Sequence, residues 1–153
     1  MRRLFALLLA LSVASCGSYR KGNKMKPRDG VVYYAKGYLG APYALGGNTK
    51  NGIDCSGLIY NAYRQQGVKI PRTVDALRKK GKRISVDRAK KGDLVFFRTS
   101  RKRRLTHAGI VVSTKRGVPQ FIHASSSKGV IITTLDNTYW KKAYAQTRRF
   151  LKK

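Results

Sequence analysis

The side chains able to act as nucleophile, general base or soft metal ligand are few: two cysteines, Cys16 and Cys55, and two histidines, His107 and His123. Cys55 follows Asp54, a residue type that caps helix N-termini, and precedes Leu58, Ile59, Ala62 and Tyr63 at helical spacing. In the first turn of a helix a cysteine is drawn toward thiolate, because unpaired amide N–H groups and the helix dipole favour negative charge there. A thiol that passes its proton to a neighbouring imidazole can attack a carbonyl as thiolate and form an acyl-enzyme. Upstream, Tyr43 offers a phenolic O–H to a developing oxyanion beside the backbone N–H of Cys55. Two other assignments use the same atoms. Cys55, His107, His123 and Asp54 could supply a zinc set of three ligands and a water, although no Cys-x-x-Cys or His-x-x-x-His spacing supports it. Each residue taken singly also fits ordinary packing, since an unpaired buried cysteine often behaves as a small hydrophobe.

For the thiol and the imidazoles to meet, particular elements must hold them. Val31, Val32, Ala35 and Leu39 predict a first short helix before the break at Gly40-Ala41-Pro42, and Cys55 opens the second. A third is expected over 73–81 with Val74 and Leu77 inward and Gly81 at its end. From Gly92 the pattern turns to strands at 93–98, 106–113, 120–124, 130–135 and 145–151, with a helical turn over 137–142 carrying the single Trp140. Helices first and a strand meander after predict an α+β domain: N-terminal helices packed on an antiparallel sheet of about five strands. If the hairpin between the histidine strands is centred on Arg116, paired residue numbers add to 232, so His107 faces Ser125 and Gly109 faces His123. Both imidazoles then share one face as diagonal neighbours, whereas a slip of one residue separates them.

The chain has 153 residues, 34 basic against 6 acidic, and a formal charge of +28. Residues 1–15 have the layout of a secretory leader, with Arg2 and Arg3 before an apolar run, and Val13-Ala14-Ser15-Cys16 looks like a bacterial lipobox with Cys16 as the lipidation site. Residues 16–29 are then a lipidated cysteine and tether, and 30–153 one domain. Removing 1–15 takes two basic residues and no acid, leaving 32 basic and 6 acidic residues and a net +26. Once Cys16 carries lipid, Cys55 has no intramolecular partner. Basic runs such as Arg78-Lys79-Lys80 and Arg101-Lys102-Arg103-Arg104 suit any polyanion, but an exported leader and the lack of a nucleic-acid motif argue against nucleic acid. Anionic wall polymer or lipid head groups fit the charge, as does solubility alone.

Several ordered segments together carry a resemblance: Ala41-Pro42-Tyr43-Ala44-Leu45-Gly46-Gly47, Gly52-Ile53-Asp54-Cys55-Ser56-Gly57, Gly92-Asp93-Leu94-Val95-Phe96-Phe97, Thr106-His107-Ala108-Gly109-Ile110-Val111 and Ile122-His123-Ala124-Ser125. They resemble the NlpC/p60 family of bacterial cell-wall cysteine peptidases, from about Val31 to the C-terminus. The resemblance implies a papain-like fold, Cys55 as nucleophile, His107 as base, His123 as third polar residue and Tyr43 as oxyanion helper. It suggests that Asp54, Ser56 and Arg72 shape the substrate cleft. It further implies hydrolysis of an amide bond in the peptide part of peptidoglycan, either the D-alanyl to diaminopimelate cross-link or the D-glutamate to diaminopimelate bond. No cofactor or metal enters that chemistry. The expected partners are peptidoglycan and, through the lipid, a membrane, with the protein a monomer on the outer membrane facing the periplasm. Two features depart from the family pattern: Lys91 stands where a Pro is common, and no SH3-type wall-binding segment is recognised ahead of the domain. A competing expectation is a non-catalytic, membrane-tethered binder of anionic wall polymer.

Overall fold

The computed structural model describes residues 25–100 and 104–152; the leader, Cys16, the tether through residue 24 and Arg101-Lys102-Arg103 lie outside the described residues. Helix α1 (Pro27–Lys36) starts with Pro at the first turn, where no amide hydrogen is missed, and turns Gly30, Val31, Val32 and Ala35 inward. It begins inside the segment expected to be tether. Arg28 explains why: its guanidinium donates to the buried carboxylate of Asp93 (3.1 Å) and to the carbonyl of Leu151 (3.1 Å), tying the helix start to the C-terminus. Leu39, expected on the inner face, lies beyond the helix end and is 49% exposed.

Helix α2 (Cys55–Arg64) has the expected cap and buried face. Helix α3 is shorter than expected, Val74–Leu77 with Thr73 as its cap, because the chain leaves the helix and turns at Gly81 (φ 69°) into a strand. The strands are β1 (Asn48–Thr49), β2 (Gly52–Ile53), β3 (Lys82–Ile84), β4 (Leu94–Phe97), β5 (His107–Lys115), β6 (Val118–Ser125), β7 (Gly129–Thr134) and, after helix α4 (Thr138–Ala143), β8 (Tyr144–Arg149). β1 and β2 pair with each other, and the other six form one antiparallel sheet in the order β3-β8-β4-β5-β6-β7. The fold is α+β as expected, with six strands in the main sheet rather than about five. The addition, β3, is a short charged edge strand.

Both faces of the central strands are covered, which accounts for their unbroken apolar runs. Leu94, Phe96, Ala108, Ile110, Val112, Ile122 and Ala124 pack against α1 and α2, while Val95, Phe97, Val111 and Phe121 pack with Leu135, Ala143, Trp140 and Tyr144 on the opposite side.

The β5–β6 hairpin turns through Arg116 and Gly117, both at positive φ (48° and 80°), the two-residue geometry that matches strand twist. Pairs near this turn add to 233, as in Thr114 with Pro119; past an irregularity between Val111 and Ser113 they add to 232, as in Ile110 with Ile122. The bulge therefore restores the expected register on the side of the histidines. There the β5–β6 ladder stops. Beyond Ile110, β5 keeps its pairing with β4 and β6 its pairing with β7. The two histidine strands fork, so the expected pairs His107–Ser125 and Gly109–His123 are not ladder partners.

Candidate active site

The start of α2 is clamped to the preceding loop. Asp54 accepts from the backbone N–H of Gly57 (2.6 Å), the Ser56 hydroxyl (3.0 Å), the N–H of Gly46 (2.9 Å) and the Arg72 guanidinium (3.0 Å). Arg72 also donates to Ser56 Oγ (2.7 Å) and to the carbonyls of Gly46 and Gly47 (3.0 Å each). Burial alone would raise the Asp54 pKa, but the bonds from Arg72, Gly57 and Ser56 outweigh it and hold the carboxyl below its ordinary value. Gly57 permits the close approach: a Cβ there would lie 2.4 Å from the Gly47 carbonyl. Asp54, Ser56 and Arg72 are thus bonded to one another. The first two are buried, and Arg72 is the member that reaches the surface. With its carboxylate turned to this clamp, Asp54 is taken up by five donors rather than offered to a metal. Among the described residues, no group of three His, Cys or acidic side chains is placed to hold one.

Cys55 is an unpaired thiol, 7% exposed, at the first position of α2. The backbone N–H groups of Ala108, the residue directly after His107, of Ser56 and of Cys55 itself favour negative charge on its sulfur. Over His107 to Gly109 the β5–β6 ladder is absent, so the Ala108 amide is not tied to β6.

The two imidazoles come together as the register argument requires. His107 Nε2 and His123 Nδ1 are 2.9 Å apart, with the rings nearly perpendicular at 5.0 Å between centroids. A Cβ on Gly109 would lie 2.6 Å from the Phe121 ring and 3.3 Å from His123 Cβ, so glycine leaves room for the pair. His123 is 1% exposed, and its other nitrogen, Nε2, is buried without a hydrogen-bond partner. Trp140, on α4, packs against both rings: stacked on His107 (5.4 Å, 27°) and edge-on to His123 (4.7 Å, 68°). Its role was not legible beforehand. The only sequence signal was a lone tryptophan in a short polar helical turn.

The protonation states differ from the sequence expectation. The helix-start amides do favour thiolate, but burial is the larger effect, and the Cys55 thiol is pushed up to about 11. Burial likewise drives His107 down to about 4, and burial with the neighbouring His107 drives His123 down to about 3. At neutral pH the resting site therefore holds a neutral thiol and two neutral imidazoles, not a thiolate. Tyr43 is half-buried and bridges to Ile53, next to Asp54 in the chain. Burial, then the charges of Cys55 and Asp54, raise its pKa, so it stays a phenolic donor within the electrostatic reach of the sulfur.

Residues 40–149 match the family described as NlpC/P60. The chain is 44% identical over 115 residues to murein DD-endopeptidase MepS/murein LD-carboxypeptidase of Escherichia coli strain K12, across 74% of this chain and 58% of that protein, so it spans little more than half the length of that curated relative. It is 37% identical over 158 residues to the probable endopeptidase NlpC of the same strain, across 97% of this chain and 99% of that one. Among solved structures it resembles an NlpC/P60 family protein from Bacillus cereus (TM-score 0.73, 29% identity, 82% of this chain and 40% of that one). It also resembles the NlpC/p60 domain of the peptidoglycan hydrolase SagA (TM-score 0.67, 27% identity, 80% and 98%). With residues 40–149 matched by the family, and with a relative 37% identical across 97% of the chain, this chain belongs to the NlpC/P60 family.

Proposed function

We propose that the protein is a cysteine peptidase that hydrolyses an amide bond in the peptide part of peptidoglycan, by way of an acyl-enzyme on Cys55. The observation that carries this is the bonded pair of imidazoles on β5 and β6, His107 Nε2 at 2.9 Å from His123 Nδ1, with Cys55 at the first position of α2, the helix packed against both strands. His107 Nε2 is engaged with His123, so Nδ1 is the nitrogen left to act as base. As Cys55 Sγ forms its bond to the scissile carbonyl carbon, its proton passes to His107 Nδ1. The carbonyl oxygen becomes an oxyanion, met by the Cys55 N–H and the Tyr43 O–H. Collapse breaks the C–N bond, and His107 returns the proton to the leaving amine. Water, deprotonated by the same nitrogen, then cleaves the thioester and restores the thiol. Throughout, His107 keeps Nε2–H donated to His123 Nδ1, which fixes its tautomer.

The bond proposed is the D-alanyl to diaminopimelate cross-link, supported by identity to a protein named as a murein DD-endopeptidase. The leader and the lipobox-like residues support a lipid on Cys16 and a place in the cell envelope, at the periplasmic face of the outer membrane. Digestion of purified sacculi tests the enzyme reading, with mass identification of the soluble muropeptides. Cross-linked dimers are expected to fall to monomers with wild-type protein and to persist with Cys55→Ala. Intact cross-links with cleaved D-glutamyl bonds would move the activity to the other bond. Equal digestion by Cys55→Ala would reject the thiol mechanism, and no digestion by wild type, with binding kept, would favour the non-catalytic binder.

A further inference from the structure

Away from the thiol, a cavity of about 410 Å³ gathers six cationic side chains: Arg78 and Lys79 after α3, Arg83 on β3, Arg148 on β8, and Arg98 and Arg104 at the ends of the β4–β5 connection. This is unlike a solvated basic run, because residues from four separate parts of the chain converge on one space. Asp75 is the acid at its border, and it is already shared by Arg78 (2.6 Å) and Lys79 (2.8 Å). Among the described residues, neither Arg83 nor Arg104 has a carboxylate partner. Arg148 donates to the Gly81 carbonyl (3.2 Å), yet its Nε is buried with no hydrogen-bond partner. Cations gathered on one space with so little acid beside them repel one another, and an entering oxyanion relieves that penalty. Guanidinium forks match the two oxygens of such an anion.

The cavity's place in the fold indicates which anion. β8 lies two strands from β5, about 10 Å at ordinary strand spacing. Leu105, which lines the cavity, is two residues before His107. An extended peptide advances about 3.3 Å per residue, so this spacing corresponds to about three residues of a peptide held beside His107 on β5. We infer that the cavity is an anion subsite that takes a carboxylate of the peptide substrate about three residues from the bond cut. The inference rests on the peptidase reading and adds to it a specificity element outside the catalytic residues.

The test is binding in the Cys55→Ala background, which separates recognition from turnover. A cross-linked muropeptide with free carboxylates is titrated into full-length Cys55→Ala protein and into the same protein carrying Arg83→Gln and Arg104→Gln. The same muropeptide with amidated carboxylates, and inorganic phosphate alone, form the other arms. Among the described residues neither Arg83 nor Arg104 makes a side-chain hydrogen bond or ion pair, so the added substitutions are expected to leave thermal melting unchanged. The expected result is about a tenfold weaker Kd for the free-acid muropeptide with both arginines replaced. The amidated form is expected to bind both proteins alike, and the difference between forms is expected to shrink with added salt. Equal Kd values in the two proteins, or an equal loss for free and amidated forms, would overturn the subsite. Arginine-dependent phosphate binding with no preference for the free-acid muropeptide would assign the cavity to phosphate instead and overturn the carboxylate assignment. Because no arm needs hydrolysis, inactive wild-type protein would refute the peptidase reading without deciding this one.

Discussion

The resting charge of Cys55 can be measured by alkylation. With the thiol pushed up to about 11, the thiolate fraction at pH 7 is about one in ten thousand, against about one in a hundred for the ordinary value of 9.0. Since thiolate is the reacting form, iodoacetamide should alkylate Cys55 of the free enzyme about a hundredfold more slowly than an exposed thiol at pH 7. The 7% exposure slows it further by access, but access shifts the whole curve and leaves its slope alone. The rate is therefore expected to climb about tenfold per pH unit from pH 6 to 10, with no shoulder. Mass spectrometry of the modified peptide over time reads this directly, with Cys55→Ala as the blank. A level rate between pH 5 and 8 would refute the reasoning, because it would mean a thiolate held by an imidazolium and burial outweighed by the ion pair. The same charges set the activity profile. A base works in its neutral form, and burial drives His107 down to about 4, so the acid limb of kcat/KM is expected near pH 4 rather than near 6.5.

Two substitutions examine the supports of the site. Asp93 is fully buried and accepts from Arg149 (2.7 and 2.9 Å), Arg28 (3.1 Å) and the Lys90 N–H (2.8 Å), joining α1, β8 and the turn before β4. Asp93→Ala is expected to cost about 2–4 kcal/mol in urea unfolding, below the value for a wholly buried pair because both guanidiniums can reach water; a loss under about 1 kcal/mol would mean the network holds little. Trp140→Leu keeps an apolar side chain but removes the ring stacked on His107, so kcat is expected to fall about tenfold with KM unchanged. An unaltered kcat in steady-state hydrolysis would show that the imidazole pair orients itself.

What the sequence disclosed about this site followed periodicity. The Asp54 cap and the apolar positions after Cys55 define α2, and the odd numbers of His107 and His123 place both rings on one face once the hairpin is centred near Arg116. The centre was off by half a residue, and the bulge between Val111 and Ser113 absorbed the difference, so the register survived. Elements of two or three residues were not legible. β1, β2 and β3 are too short to show alternation, and β3 is charged at two of its three positions. Arg28 reads as part of a basic tether because its partners, Asp93 and Leu151, are 65 and 123 residues away. Trp140 likewise acquires its contacts only when α4 folds back over the sheet.

The largest departure, the neutral resting thiol, arises from burial. A helix start is visible in sequence and favours thiolate, whereas desolvation depends on what closes over the sulfur and is invisible there. Burial closes over the sulfur at the start of α2, while the amides of Ala108, Ser56 and Cys55 favour its charge. These effects oppose each other at rest and act differently during attack. Before reaction, burial dominates and keeps both proton partners neutral. In the proposed mechanism, negative charge that leaves the sulfur for the carbonyl oxygen moves toward the Cys55 N–H and the Tyr43 phenol. That mechanism needs no standing thiolate: charge is stabilised where the reaction puts it, and proton transfer to His107 need only accompany the formation of the carbon–sulfur bond.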